Sequence, residues 1–489
     1  MFCLADLQIC RFADWQIGRL ADWQIELWCI NVIYKGLLKM RKILSGICVL
    51  SFLCFMGCSD SGSTEDLVRS TEPGSSDLCG TEANEPLPEP PNCVLFPADE
   101  PGDIIIPAML SYSGGWPFIK GKNAAEMAIN EINDGGGING KKVQMYLCDP
   151  QCIADHGDAS MRQILKYRDE NPTTVASVVV GPSCTTVAFN ERKCLDGTDM
   201  KVDALFTMAK NEKMPMIAAT IESPRYTDAE DDGYAFRTMG HGQQMAGASA
   251  AYLADIKKLD KLIMVAPNDS WGNGMSGAFA KAFAARLEKS ESEVIVRHQY
   301  EKETIDEWAV PAAEFVEANA SEGARNGVFA FGYESDPHLT YFTQSLDNEN
   351  LHVDHVEFAG IAQEFFKDVN NSAFMDGKGS VAPFSAETDS KKYLDAAFLE
   401  YTKETSELYV PQTYDAMFLA AIGIALAGDD FTNGELIRDN LQKKTGDGTK
   451  GIAGNWKKIN ETIEKEGKID YLGASGEVNF DEKGDISSF

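Results

Sequence analysis

The sequence is short of basic residues. It holds 44 Lys and Arg against 75 Asp and Glu, which gives a formal net charge of −31. Nucleic-acid binding needs clustered Lys and Arg to meet phosphates, and docking on anionic lipid needs a basic face. The acidic balance therefore argues against both partners, and it favours solubility without naming a ligand.

The signatures of common enzyme classes are also missing. The six His residues form no HExxH pattern, and no GxSxG nucleophile elbow occurs. A partial phosphate loop, Gly135-x4-Gly140-Lys141, is followed by Lys142 where Ser or Thr is required. That loop also lies after a predicted helix and before a predicted strand, the reverse of the usual order. We therefore predict no catalytic residues, no cofactor and no metal, and we do not expect an enzyme.

The N-terminal region lacks an apolar run long enough to span a bilayer, which takes ~20 residues. Residues 1–39 contain a tandem repeat, LADLQICR, FADWQIGR and LADWQIEL, whose eight-residue period matches no solenoid. We interpret residues 1–39 as non-native translation upstream of the true start, Met40. A signal peptide then covers 40–57, with a basic start and an apolar segment from Ile43 to Met56.

The end of this signal peptide carries a second prediction. Residues 55–58, Phe-Met-Gly-Cys, resemble the lipobox of bacterial lipoproteins. Cleavage before Cys58 and acylation of its sulfur would anchor the chain outside the cytoplasm on a bacterial membrane. Residues 58–101 are rich in Ser, Thr, Glu, Gly and Pro and cannot bury enough apolar surface to fold, so they predict a flexible tether.

Six cysteines remain after the leader and Cys58 are set aside. An even number in a secreted chain indicates disulfides, with about 15 possible pairings. A zinc site is the alternative, because Cys148-x3-Cys152 has a tolerable ligand spacing and His156 follows it. The residues alone do not choose among the pairings. The six are Cys79, Cys93, Cys148, Cys152, Cys184 and Cys194.

The body of the chain alternates strand and helix patterns. The segment GKNAAEMAINEIN has one apolar helical face and ends at a run of glycines, which accept the left-handed conformation at helix ends. Short apolar runs separated by helices predict βαβ units, hence an α/β fold with mostly parallel sheets. The predicted strands are Asp103–Ser111, Val143–Leu147, Val175–Val180, Met214–Ala219, Leu262–Pro267, Gly327–Phe331 and Val356–Ala359.

Several segments, in order, resemble the branched-chain amino-acid (Leu/Ile/Val) type of periplasmic solute-binding protein of ABC transporters. They are IKGKNAAEMAINEINDGGGINGKKVQMYLCDPQC, VVVGPSCTTVA, MPMIAATIESPRY, IMVAPNDSWGNG and GASGEVNFDEKGD. The resemblance implies the type I periplasmic-binding fold, two Rossmann-like lobes joined by hinge strands near Arg237–Gly240 and Ser380–Phe384. Lobe one would comprise 103–240 plus 383–482 and lobe two 241–382, with 483–489 a shortened C-terminal crossing.

The resemblance also implies ligand-binding residues in the cleft between the lobes. Ser183, Cys184 and Thr185 match the turn that meets a ligand carboxylate at a helix N-terminus, where unpaired N–H groups favour an anion. Ordinary N-capping by Ser183 or Thr185 is the structural alternative. The next strand end contributes Thr220, Ile221 and Glu222, and aromatic walls come from Trp116, Trp271 and Tyr333.

Two positions depart from the family pattern. Glu222 stands where relatives carry Ser or Thr, and the acid that pairs with a ligand ammonium would fall near Gln363, where none occurs. We expect Glu222 to take over that charge and pair with a ligand ammonium. The alternative is a Glu222 turned outward, to solvent or to Arg225.

The disulfides implied by the resemblance are Cys152–Cys184 and Cys148–Cys194, which leaves Cys79–Cys93 in the tether. Asp415 is expected to cap a long apolar helix over 416–427.

The expected function is capture of a small polar ligand, an amino acid or a related amide or acid, and its delivery to an ABC permease. The protein would be a monomer that meets the membrane only through its lipid anchor. The alternative is a ligand-sensing module of the same fold that regulates a partner protein.

Overall fold

The computed structural model describes residues 93–114, 117–190, 204–300, 305–320, 323–332, 353–359, 379–381 and 385–486. For 305–310, 313 and 379–381 only the backbone is described. The predicted upstream segment 1–39, the signal peptide 40–57, Cys58 and the first part of the tether lie outside these residues.

A parallel sheet organises the first lobe. Its strands, among the described residues, stand in the order β1-β3-β2-β4-β5-β6, and only β1 runs antiparallel to its neighbour. Helices cover both faces of this sheet. The strands are β1 (Val94–Phe96), β2 (Ile104–Met109), β3 (Val143–Cys148), β4 (Val179–Val180), β5 (Met216–Ala218) and β6 (Ala235–Arg237).

Both faces of this sheet are apolar, as a doubly covered parallel sheet requires. Along β2, Ile104, Ile106 and Ala108 belong to one hydrophobic core, while Ile105 and Met109 belong to the core on the opposite face. The period of two thus divides one apolar run between two layers. The first helices are α1 (Ile119–Asp134), α2 (Ala154–Glu170), α3 (Thr185–Phe189), α4 (Leu205–Asn211) and α5 (Pro224–Thr227).

A second parallel sheet organises the second lobe, in the order β11-β10-β9-β7-β8. Its strands are β7 (Lys261–Pro267), β8 (Ile295–Tyr300), β9 (Asn326–Phe331), β10 (His355–Ala359) and β11 (Gly379–Val381). Its helices are α6 (Gly242–Ala251, continued by one wider turn to Ile256), α7 (Ser270–Arg286), α8 (Glu291–Val294) and α9 (Ile305–Asn319). β1 lies outside the range predicted for lobe one, and the predicted lobe boundaries and hinges stay predictions.

The chain then returns to the first lobe. The returning elements are α10 (Asp389–Thr402), α11 (Val410–Ala427), α12 (Gly434–Lys444), β12 (Lys450–Ile452), α13 (Trp456–Glu466) and β13 (Asp470–Leu472). The segment Val410–Asp430 is long and apolar enough to cross a membrane, but 89% of its most apolar 18-residue stretch is buried inside the protein. It shares a core with α1 and β2, so α11 is the central helix of lobe one.

Asp415 does not cap this helix, because α11 begins at Val410 and Asp415 lies inside it. Its carboxylate reaches the segment after β13 instead. Oδ1 accepts hydrogen bonds from Tyr471 Oη (2.8 Å) and the Ala474 N–H (2.9 Å), and Oδ2 accepts from the Ser475 N–H (2.7 Å). A buried carboxylate therefore fastens the C-terminal segment to the central helix.

The predicted end of the tether is wrong. Cys93 and the strand β1 lie within 58–101, yet β1 forms the sheet edge beside β3 with Val94 opposite Leu147. This register places Cys93 next to Cys148, and the two are disulfide-bonded. The predicted pairs Cys148–Cys194 and Cys79–Cys93 are therefore wrong, although Cys79 and Cys194 themselves lie outside the described residues.

The last described residues pack on β6. The Arg237 N–H donates to the carbonyl of Gly484 (3.0 Å), and the Arg237 guanidinium pairs with Asp485 at 2.5 Å. Both side chains are almost fully buried, so this ion pair ties the last described residues to the end of β6. The shortened crossing expected over 483–489 stays a prediction.

Candidate functional site

The candidate site lies at the carboxyl ends of the strands of the first sheet. The strand order reverses at β2, and in open α/β sheets a crevice opens at such a reversal. The loops that follow the strands are tied together there. Ser111 donates its N–H to Ser183 Oγ (2.7 Å), and Cys152 donates its N–H to Ser111 Oγ (3.0 Å).

Asp149, at the end of β3, supports this arrangement. Its carboxylate accepts from the Tyr112 N–H (3.1 Å), the Ser113 hydroxyl (2.7 Å) and the Gln151 N–H (3.1 Å). These bonds fix the loop after β2 against the loop after β3. Hydrogen bonds within the protein therefore fix the two loops at the base of the crevice.

A disulfide joins the second pair of loops. Cys152 is bonded to Cys184, the pair that the family resemblance implies. Since Cys148 and Cys152 belong to separate disulfides, the zinc interpretation of their spacing is wrong. Across the part of the chain that the structure describes, no group of three or more His, Cys, Asp or Glu residues could hold a metal ion.

A short helix, α3, begins at Thr185 within the expected carboxylate site Ser183–Thr185. α3 contains five residues, so few peptide dipoles align and the potential at its N-terminus is weak. Ser183 is not a capping residue, since its hydroxyl serves Ser111, and no side chain caps α3. Ser183 and Thr185 are both buried. The Ser183 hydroxyl accepts the Ser111 N–H, and among the residues that the structure describes it donates its own hydrogen to no other group.

The next strand end packs against this turn. Thr220 is buried and donates its hydroxyl to the carbonyl oxygen of Ser183. Ile221 is also buried, and its carbonyl accepts from Arg237 Nη1 (3.1 Å). The same Nη1 donates to the carbonyl of Ser223 (3.0 Å). Arg237 therefore fixes the backbone on both sides of Glu222.

Glu222 does not turn outward. Its side chain is 1% exposed, and Arg225 lies over the ring of Phe189 instead. The Glu222 Oε1 atom accepts from Tyr409 Oη (2.5 Å), and Oε2 accepts from Trp271 Nε1 (3.0 Å). Burial raises the pKa of Glu222, while these two hydrogen bonds and the charge of Arg237 oppose the rise.

Trp271 supplies the wall from the second lobe. It lies in the first turn of α7, where Asp269 accepts the Gly272 N–H (2.8 Å) and starts the helix. The Trp271 ring meets Phe331 edge-on, with centroids 6.4 Å apart. α7 also lies against α3 and α5 of lobe one. The described residues therefore show the two lobes in contact across the cleft.

The structure brings most of the predicted site together. Ser183, Cys184, Thr185, Thr220, Ile221 and Glu222 lie at neighbouring strand ends of lobe one, and Trp271 reaches Glu222 from lobe two. Trp116, Tyr333 and Gln363 lie outside the described residues, so their roles stay predictions.

Sequence reasoning missed three residues of the site: Ser111, Arg237 and Tyr409. Tyr409 carries one recognisable signal. It directly precedes Val410-Pro411, and a Pro at the first helical positions marks the start of a helix. The structure adds that Tyr409 has a φ of 70°, which is unusual for a residue other than Gly. Ser111 and Arg237 lie at strand ends, but nothing local distinguishes them from other polar residues there.

Each α/β lobe is built on a mostly parallel sheet, and the two lobes meet at the carboxyl ends of their strands. This arrangement is that of a two-lobed binding protein. The family described as the receptor family ligand-binding region matches residues 120–489. The chain belongs to this family.

The relatives agree with the fold. A leucine-, isoleucine-, valine-, threonine- and alanine-binding protein of Pseudomonas aeruginosa is 22% identical over 377 residues, 75% of this chain and 82% of that protein. The substrate-binding protein LivJ of Streptococcus pneumoniae, solved with isoleucine, matches with a TM-score of 0.57 at 15% identity, over 78% of this chain and 93% of that one.

A third relative differs in its ligand. A solute-binding protein of Rhodopseudomonas palustris, solved with 3,4-dihydroxybenzoic acid, has a TM-score of 0.56 at 14% identity and covers 78% of this chain and 90% of that one. The type I periplasmic-binding fold and the resemblance to branched-chain amino-acid binding proteins are thus confirmed. Binding of a small solute is the function these relatives support.

Proposed function

We propose that this chain is an extracytoplasmic solute-binding lipoprotein, not an enzyme. It captures a small polar ligand, an amino acid or a related amide or acid, between its lobes and delivers it to an ABC permease. It acts as a monomer and meets the membrane only through a lipid on Cys58. The observation that carries the proposal is the hydrogen bond that Trp271 of lobe two donates to Glu222 of lobe one, beside the strand end where Thr220 is bonded to Ser183.

The ligand class follows from the groups that remain available. Ser183 keeps a hydroxyl hydrogen, and a carboxylate oxygen is the natural acceptor for it. A carboxylate is common to the isoleucine and the dihydroxybenzoic acid bound by the two solved relatives. We therefore propose a ligand that carries a carboxyl group and an apolar body.

The proposal predicts ligand-dependent stability. A ligand that binds only the folded state stabilises it by about 2.7 kcal/mol at 100 times its Kd. We expect leucine, isoleucine or benzoate at millimolar concentration to raise the Tm of the purified chain by at least ~2 °C. No shift with any amino acid, amide or aromatic acid would contradict the proposed function.

A matched pair of variants locates the binding. Ser183→Ala removes a buried hydroxyl of the site, while Ser292→Ala removes an exposed one on lobe two. We expect the first to weaken binding of the active ligand about tenfold to a hundredfold, since a hydrogen bond to a charged group contributes about 1.5–3 kcal/mol. The second should bind like the parent. Equal affinity of both variants would remove Ser183 from the site.

A second candidate function is favoured by the family description, which refers to receptors. In that case the chain senses its ligand and regulates a partner protein. Deleting the chain's gene separates the two, because loss of ligand uptake indicates a permease partner, whereas a changed response with normal uptake indicates a sensor.

A further inference from the structure

The carboxylate of Glu222 lies where three segments meet. It follows β5 in lobe one, and it is bonded to Trp271 in the first turn of α7 in lobe two and to Tyr409 just before α11 in lobe one. Each oxygen accepts one hydrogen bond, and the residue is 1% exposed. Both carboxylate oxygens are therefore occupied by donors of the protein itself, and a ligand ammonium would have to displace one of them.

The backbones on the two sides of this contact approach closely. A Cβ added to Gly274 of α7 would lie 2.6 Å from Ser223 Oγ. That is too short for a real contact, so the absence of a side chain at Gly274 permits the approach. Glu222 and Ser223 are adjacent, and α7 carries both Trp271 and Gly274. One segment of each lobe thus forms a continuous seam.

We infer that Glu222 is a positioning residue that holds the lobes together through Trp271, and that it does not bind the ligand itself. This inference rests on the proposed function, in which the lobes close on a solute. Opening the cleft separates the indole N–H from the carboxylate. Tyr409 belongs to the same lobe as Glu222, so its hydroxyl keeps the carboxylate aimed at Trp271. This replaces the expected pairing of Glu222 with a ligand ammonium.

The seam offers a direct measurement of closure that needs no ligand. An added Cβ on Gly274 would lie 3.7 Å from the Cβ of Ser223, which is within the range that a disulfide bridges. The Ser223 hydroxyl has no hydrogen-bond partner among the described residues, so Ser223→Cys removes no bond seen there. The double variant Ser223→Cys/Gly274→Cys should form a disulfide under mild oxidation when the lobes are closed, because the bond between the two sulfurs replaces the short contact with the Ser223 hydroxyl.

The test compares the rate of this disulfide in different backgrounds. We expect Trp271→Phe to slow it about tenfold, because it removes a hydrogen bond to a buried charge, and Glu222→Gln to slow it about threefold, because the amide oxygen still accepts the indole N–H without the charge. Trp456→Phe is the matched control. Its indole N–H donates to the Gly137 carbonyl (2.7 Å) inside lobe one, far along the chain from the seam. It should leave the rate unchanged.

Two outcomes would overturn the inference: no disulfide in the parent double variant, or the parent rate in the Trp271→Phe background. Neither depends on the ligand, so a chain that gains stability with leucine or benzoate could still fail this test. A chain could equally pass it and bind none of those solutes. Failure of the closure contact and failure of the proposed function are therefore distinguishable.

Discussion

At the scale of single residues, two buried acids connect distant segments of the fold. Glu222 joins the lobes, and Asp415 fastens the C-terminal segment to the central helix. Four hydrogen bonds converge on Asp415, the fourth from the Ser475 hydroxyl (2.5 Å) to Oδ2. Such a site suits a carboxylate, because every neighbouring group is a donor. Burial nonetheless raises the pKa of Asp415 from 3.8 to about 6.

The Asp415 site predicts a stability change on substitution. Asp415→Asn turns an NH₂ group toward one pair of donors and leaves at least one buried N–H without an acceptor, at a cost of about 1–3 kcal/mol. Denaturant unfolding at pH 7 measures this loss. The control is Asp429→Asn, an exposed acid paired with Lys141 (2.7 Å), which should change the free energy of unfolding by less than ~1 kcal/mol.

Asp415 also predicts a pH dependence. A pKa that is higher in the folded than in the unfolded chain means that the folded chain binds the proton more tightly. Its contribution to stability is therefore full below pH ~4 and is lost as the pH rises through about 6. The difference between 3.8 and about 6 corresponds to ~3 kcal/mol. In unfolding curves between pH 4 and 7 the parent should lose ~3 kcal/mol more than Asp415→Asn, since other buried acids such as Glu222 titrate in both proteins, and parallel profiles would contradict this.

At the scale of elements, the strand β1 is the clearest departure from the sequence interpretation. Its three residues lie in a stretch of polar and proline-rich composition, where no local pattern indicates a strand. Pairing with β3 and the disulfide to Cys148 determine its position. An edge strand this short depends on contacts far along the chain, and these are absent from any local window.

The disulfide of β1 can be tested directly. Digestion of the unreduced protein with cleavage before Asp149 separates Cys148 from Cys152, and mass spectrometry should then find Cys93 joined to Cys148. Cys93→Ser should lower the free energy of unfolding by about 2–4 kcal/mol, since the bond closes a loop with a sequence separation of 55. A peptide that joins Cys148 to Cys194 would contradict this pairing.

At the scale of the whole molecule, the proposed anchor decides where the protein acts. We expect Cys58→Ala, expressed from Met40, to abolish lipid attachment and to release the chain in soluble form. A single acyl chain binds membranes only marginally, so stable anchoring of the parent requires the lipids that a lipoprotein carries. Membrane fractions washed with salt and carbonate provide the measurement, and a variant that stays with them must have another anchor.

The sequence by itself determined the alternation of strands and helices, because apolar periodicity is a local property. β2, β3, β7, β9 and β10 all lie where their patterns predicted. The sequence also determined the family, because motifs such as VVVGPSCTTVA and IMVAPNDSWGNG, taken in order, are recognisable within short stretches of the chain.

The tertiary structure alone decided which distant residues meet. Tyr409 reaches Glu222 across 187 positions, and Asp485 reaches Arg237 across 248. Local spacing carries no information on such contacts, since they depend on how the returning helices pack against the first sheet. The sequence placed Glu222 in the cleft, but only its burial between Trp271 and Tyr409 showed that its charge is already satisfied by the protein itself.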